Sequence, residues 1–174
     1  MKAINLNEVQ EAQEFTKLAP GGYVCEITCV EDFPDKEYLK LEYDIADGEF
    51  KDYFRNIYDN SGYWIGNFIK SYKNKALPFF KQFITAVKRS NLRYKWDNNE
   101  GKLMGKKLGL VIAEEEYVAR DGSVKIRNYV ASVHESSKIL NGDFKVPALK
   151  RLPQTDAPAS SGIIATADEE PAPF

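Results

Sequence analysis

Cations and aromatic rings sit close together in two short stretches of this sequence. That pairing suits contact with an unpaired nucleic-acid strand, in which charges follow the phosphates while rings stack on the bases. In the first stretch Tyr38 and Lys40 are followed by Lys51, Tyr53 and Arg55; the second is the run Arg93-Tyr94-Lys95-Trp96. Tyr53 is the expected principal stacking ring, flanked by Lys40, Lys51 and Arg55, with Tyr38 as a second candidate. Arg93, Tyr94 and Trp96 are expected to face the same groove. Two acids, Glu42 and Asp44, weaken the proposed surface, and rings in a small β-domain also serve its core.

Other chemistry is poorly provided for. His134 is the single histidine, which excludes a two-histidine metal site, and no phosphate-cradling glycine loop occurs. Pro34-Asp35 followed by Glu49-Phe50-Lys51 loosely fits a metal-dependent nuclease pattern. A tight hairpin between them would put the two carboxylates about 30 Å apart, whereas carboxylates sharing a metal must be neighbours. The run Glu114-Glu115-Glu116 reads as a solvated strand edge, with Glu116 opposite Arg127. Cys25 and Cys29, four apart in a strand, would lie about 13 Å from each other, too far for a disulfide or a compact zinc site. The expectation is therefore no catalytic residue, no metal and no cofactor.

The elements that must position these residues follow from hydrophobic periodicity. Tyr23 to Val30 is rich in β-branched and aromatic residues, and Asp32 to Lys36 forms a turn around Pro34. Tyr38 to Ala46 alternates, with Leu39, Leu41, Tyr43 and Ile45 on one face. Asp47-Gly48 suggests a two-residue hairpin turn, with Phe50 to Tyr58 returning as the third strand. In that register Phe50 and Phe54 point inward, while Tyr38, Lys40, Lys51, Tyr53 and Arg55 share the outward face. Residues 62–76 have helical character. A second helix begins at Pro78 and carries Phe79, Phe80, Phe83, Ile84 and Val87 at helical spacing to Ser90-Asn91, as a plug for the core. Leu108 to Tyr117 and Lys125 to His134 form a second hairpin around Arg120-Asp121-Gly122-Ser123. Three strands, a helix and two strands is the order of an OB-fold, so the expected class is all-β with helical additions, a five-stranded barrel with a helix between strands 3 and 4.

Around this barrel, assigned to residues 20–152, lie two appendages: a helical N-terminal extension, 1–19, amphipathic over Leu6 to Phe15, and an acidic C-terminal tail, 153–174, expected to be disordered. The net charge of -2 conceals a segregation. Residues 1–50 carry 4 basic and 12 acidic side chains, residues 51–107 carry 13 and 4, residues 108–150 carry 6 of each, and residues 151–174 carry 1 and 4. A basic middle inside a chain of acidic balance fits a polyanion groove. With 43% hydrophobic and 29% charged residues and no long apolar run, neither a membrane span nor a secretory signal is expected, which places the protein in the cytoplasm.

The last residues, Asp168-Glu169-Glu170-Pro171-Ala172-Pro173-Phe174, resemble the tip of bacterial single-stranded DNA-binding proteins. The resemblance implies docking of partner enzymes, with the ring of Phe174 in an apolar pocket and Asp168, Glu169 and Glu170 meeting a basic rim; Ala172 and Pro173 before the ring depart from the pattern. The barrel region also resembles a family of uncharacterised phage and prophage proteins associated with recombination. The stretches that carry this are residues 37–50, Phe80-Lys81-Gln82-Phe83-Ile84-Thr85-Ala86-Val87, Tyr94-Lys95-Trp96-Asp97 and Gly142-Asp143-Phe144-Lys145-Val146-Pro147, and the similarity covers residues 20–152. It implies sequence-nonspecific binding of single-stranded DNA in phage replication or recombination, in a bacterial host cytoplasm. Replication or recombination proteins would be recruited through the tail, and a homo-oligomer is compatible with this reading. The alternatives are a metal-dependent nuclease and a protein-only interaction module.

Overall fold

A computed structural model describes residues 16–153. Five antiparallel strands form one sheet in the order β3-β2-β1-β4-β5, where β1 is Gly21–Phe33, β2 Tyr38–Ile45, β3 Asn67–Ser71, β4 Lys107–Val118 and β5 Val124–His134. The sheet is not closed into a barrel, since β3 and β5 remain unpaired edges. β1 serves both halves. Its first residues pair with β4, Gly21 opposite Ile112, and its later ones with β2, Phe33 opposite Tyr38, with a bulge between Ile27 and Cys29. Alternation works as read in β2, where Leu39, Leu41, Tyr43 and Ile45 are all buried. The helix α2, Leu77–Ser90, begins with Pro78 in its first turn and buries Phe83, Ile84, Ala86 and Val87 against this core, while Phe79 is 67% exposed. Among the described residues no helix is long and apolar enough to cross a membrane.

The sequence expectation fails between β2 and β3. Phe50 to Tyr58 is not a returning strand; after a turn at Gly48, residues Tyr53–Ser61 form helix α1, and the true third strand is Asn67–Ser71, inside the stretch expected to be helical. Two physical reasons account for this. Tyr53, Phe54, Ile57 and Tyr58 recur at helical spacing and Gly62, at φ +74°, caps the helix in the left-handed conformation with its N–H donating to the Tyr58 carbonyl. The N-terminus of α1 is capped from a distance: Asp44 of β2 accepts from the backbone N–H of Ile45 (2.8 Å), Phe54 (2.9 Å) and Arg55 (3.0 Å). That carboxylate satisfies two of the helix's orphan donors and sits favourably on the positive end of its dipole. Asp44, placed by sequence on the solvent face, is thus 7% exposed. Gly66 then allows the chain to pass tightly under the sheet, for a Cβ there would stand 2.6 Å from the Tyr43 carbonyl oxygen and 2.7 Å from the Phe54 ring.

The β4–β5 hairpin closes at Val118 opposite Val124, which shifts the expected pairing by one: Arg127 lies opposite Glu115 rather than Glu116 and bonds its carboxylate at 2.8 Å. Glu116 instead accepts from the backbone N–H of Leu152 at 3.1 Å, as Lys150 bridges in parallel to Glu115. A short helix α3, Ser136–Leu140, buries Ile139. Before β1, residues 16–19 have no regular structure; Leu18 is buried, its N–H donating to the Tyr53 hydroxyl and its carbonyl accepting from Asn128. The rest of the expected N-terminal helix, residues 1–15, lies outside the described residues, as do residues 154–174 with Asp168, Glu169, Glu170, Pro173 and Phe174.

Candidate functional site

The eight residues expected to share one groove fall into five places. Tyr38 and Lys40 do lie on the outer face of β2. There the Tyr38 ring stacks on Phe33 (centroids 4.8 Å apart, 23° between planes), while Lys40 faces Glu31 across the strand and reaches Glu42 at 4.0 Å. Two acids around one lysine leave that face without the positive field a phosphate requires.

Tyr53 leaves the sheet altogether. Its ring packs edge-on against Phe50 (5.9 Å) and Phe54 (5.1 Å), and its hydroxyl holds the Leu18 backbone, so the expected outward stacking ring is a half-buried packing residue. Lys51 and Arg55 move with α1 to a depression shared with Lys107, where Glu26, Asp44, Asp47 and Asp52 balance them. Lys107 and Asp47 form an ion pair at 3.4 Å.

The second stretch behaves differently. Between α2 and β4 the chain loops out and returns through a 3-10 turn, Glu100–Leu103, enclosing a cleft of about 920 Å³. Arg93, Lys95, Lys102 and Lys106 line it, with Tyr94 between them and Asp97 as the lone acid. The Lys106 ammonium stands 5.5 Å from the centre of the Tyr94 ring, a cation–π contact that fixes both. Lys102 pairs with Asp97 and, through that hydrogen bond first of all, holds its carboxyl below the usual range, so the one acid of the cleft is neutralised as an ion pair. Burial raises the Tyr94 phenol, and its oxygen, shielded from solvent, has no hydrogen-bond partner among the described residues. Arg93 adopts φ +75°, a left-handed backbone that a non-glycine residue enters only at some cost. The cleft is held open by Asn91, which accepts from the Lys107 N–H at 3.0 Å and donates to the Lys107 and Val87 carbonyls, tying the end of α2 to the start of β4. Leu92 beside it is 93% exposed and Met104 50% exposed. The basic character continues along α2 through Lys81, Lys88 and Arg89; from residue 77 to residue 107 there are eight cations and two acids.

Trp96 points to the other side of the same loop. It packs on Phe80 (6.0 Å) and its indole N–H donates to Asn98 at 3.1 Å, so it faces away from the cations that precede it. Lys102 and Lys106 complete the cleft without having been singled out in the sequence; the signal available was their place in the basic block. Asp35 and Glu49 flank the two ends of β2, about 25 Å of strand apart, and among the described residues no three histidine, cysteine or acidic side chains gather closely enough to hold a metal. Cys25 is buried and Cys29 exposed, both as thiols. No protein-family model matches the chain, and a search of curated proteins returns no match.

Proposed function

We propose that the protein binds single-stranded nucleic acid, DNA in the first instance, without regard to sequence and without cleaving it. The observation that carries this is the cleft in which Arg93, Lys95, Lys102 and Lys106 surround Tyr94, its one acid already neutralised. Arg93, Lys95 and Lys106 are the cations left to follow a phosphate backbone once Lys102 is paired with Asp97, and the Tyr94 ring beside Lys106 offers a base an aromatic surface. The exposed Leu92 and Met104 add apolar area at its rim.

The fold reading that accompanies this is an OB-like barrel opened along one seam. β1 is shared between β2 and β4, a helix separates β3 from β4, and β3 and β5 face one another across a cavity of about 470 Å³ lined from both sides, by Ile65 and Asn67 on one and Ile126 to Tyr129 on the other. A partly open Greek-key barrel of this order is a frequent carrier of oligonucleotide binding. The acidic segment from Asp168 to Phe174 is the proposed docking element for replication or recombination proteins.

An anisotropy titration tests the reading. A labelled oligothymidylate of about 20 nucleotides, longer than one OB-type site, should bind more tightly than a duplex of equal length and lose affinity as salt rises. Equal affinity for the duplex refutes the single-strand reading. Loss of the labelled strand on incubation with magnesium would favour the nuclease alternative, and absence of binding to either form would favour a protein-only module.

A further inference from the structure

A second cavity, of about 430 Å³, lies on the face of the loop opposite the basic cleft and has the reverse character. Three rings form its apolar walls: Tyr72, where the chain leaves β3; Phe80, in the first half of α2; and Trp96, in the loop. Tyr72 and Phe80 are 5.9 Å apart at 75°, and Phe80 and Trp96 6.0 Å apart at 69°, so the rings meet edge to face and turn their surfaces different ways around the space. Its polar rim is made by Asp32, Glu100 and Asn98, and no basic residue lines it. Among the described residues neither Asp32 nor Glu100 enters an ion pair.

Each wall is held. The Tyr72 hydroxyl donates to one oxygen of Asp32 at 2.8 Å, which leaves the other oxygen of that carboxylate without a described partner and pushes the phenol up to about 12. The Trp96 indole N–H is engaged by Asn98. Five elements, the end of β1, Leu39 of β2, the end of β3, α2 and the loop, supply the lining, so the cavity is part of the fold's framework rather than of one mobile segment.

Ring faces with carboxylates beside them attract cations and disfavour anions. A desolvated cation is attracted by aromatic faces, and a carboxylate at the rim adds a charge-assisted hydrogen bond. The neighbouring β1–β2 turn strengthens the field, with Glu31, Asp32, Asp35 and Glu37 against Lys36 alone. A nucleotide entering here would bring its phosphate against that acidic turn. The occupant that fits is flat, weakly hydrated and able to fork onto a carboxylate, which describes a guanidinium better than an ammonium.

We propose that the cavity bounded by Tyr72, Phe80, Trp96, Asp32 and Glu100 is a docking site for an arginine side chain of a partner protein. It is separate from the strand-binding cleft, so the loop from Asn91 to Leu103 presents a nucleic-acid surface on one side and a protein-recognition pocket on the other.

The test is a titration of the full, nitrogen-15-labelled chain followed at its two indole N–H signals, assigned with Trp64→Phe. The probes are N-acetyl-arginine methylamide, its uncharged analogue N-acetyl-citrulline methylamide, and deoxyguanosine monophosphate. The arginine probe is expected to move the Trp96 signal saturably and leave Trp64 in place, while citrulline leaves both unmoved at the same concentration. Glu100→Gln should weaken the arginine effect several-fold, and Glu100→Gln with Asp32→Asn, which retains an acceptor for Tyr72, should abolish it. An unchanged spectrum of the remaining signals verifies that these variants stay folded. The proposal is overturned if arginine and citrulline act alike, if neither moves Trp96, or if the nucleotide occupies the site more tightly than arginine does.

Discussion

Replacement of Asp44 by alanine should destabilise the protein more than any other single change at a charged residue described here. The carboxylate accepts three backbone N–H groups, from Ile45, Phe54 and Arg55, and it is 7% exposed. Loss of a helix cap costs about 1 to 2 kcal/mol, and a buried N–H left without an acceptor costs about 1 to 3 kcal/mol. Removing a buried carboxylate returns part of this, because its desolvation is relieved. A net loss of about 3 kcal/mol follows, which for a domain of this size is a fall of roughly 10 °C in the melting temperature. Asp44→Asn should lose roughly half as much, since its single carbonyl oxygen can serve the Ile45 and Phe54 N–H groups as the Asp44 Oδ1 does, while its amide cannot accept from Arg55. Thermal denaturation followed by circular dichroism measures both. A melting temperature for Asp44→Ala within about 1 °C of the parent, or an asparagine variant worse than the alanine one, would refute the capping account.

Three further outcomes are expected. The triple change Arg93→Ala, Lys95→Ala and Lys106→Ala should weaken single-strand binding and reduce the salt slope of log K by about 2, with the melting temperature little altered; an unchanged slope in the anisotropy titration moves the interface elsewhere. Gly66→Ala should destabilise by about 1 to 3 kcal/mol in urea denaturation, because its Cβ would meet the Tyr43 carbonyl and the Phe54 ring, and a neutral effect would mean that β3 can shift freely. Asp97 has its pKa lowered in the folded state, chiefly by Lys102, so its contribution is present above the unfolded carboxylate value near 3.9 and is lost as pH falls through the lower folded value. Melting curves of the parent and Asp97→Asn should therefore converge only at acid pH, and a constant gap between them contradicts the sign.

Much of the fold is legible because one face of each strand is buried and alternation records it. β2 and α2 are where the pattern puts them, and the order of apolar runs gives the right number of strands. What misleads is the segment after Ile45. Trp64, Phe68 and Tyr72 are spaced by four, a spacing that places side chains on one side of a helix and equally on one side of a strand. Ile69, 58% exposed and opposite Lys40, betrays the strand only once the pairing is known. Asp44 is unreadable for another reason. Its role depends on a helix terminus ten residues further on, and nothing in an alternating strand distinguishes a polar residue facing water from one facing unpaired amides.

That local error also decides where the candidate site lies. With a strand from Phe50 to Tyr58, Lys51 and Arg55 would join Lys40 on one sheet face and Tyr53 would stand among them. With helix α1 there, Lys51 and Arg55 are drawn toward Asp44, Asp47 and Asp52, and Lys40 is left between Glu31 and Glu42. On α2 and the loop after it Lys81, Lys88, Arg93, Lys95 and Lys106 enter no ion pair among the described residues, whereas Arg89 pairs with Glu135 and Lys102 with Asp97. Tyr94 and Trp96 are two residues apart in that loop, and extended chain would turn neighbours at that spacing to one side. The left-handed residues Arg93 and Asn98 bend the chain out of that geometry, so Tyr94 is carried into the basic cleft and Trp96 into the acidic cavity. A glycine at either position would make that bend less costly to adopt and less firmly fixed, which is the reason to expect Arg93→Gly to blur the separation of the two surfaces more than Arg93→Ala does.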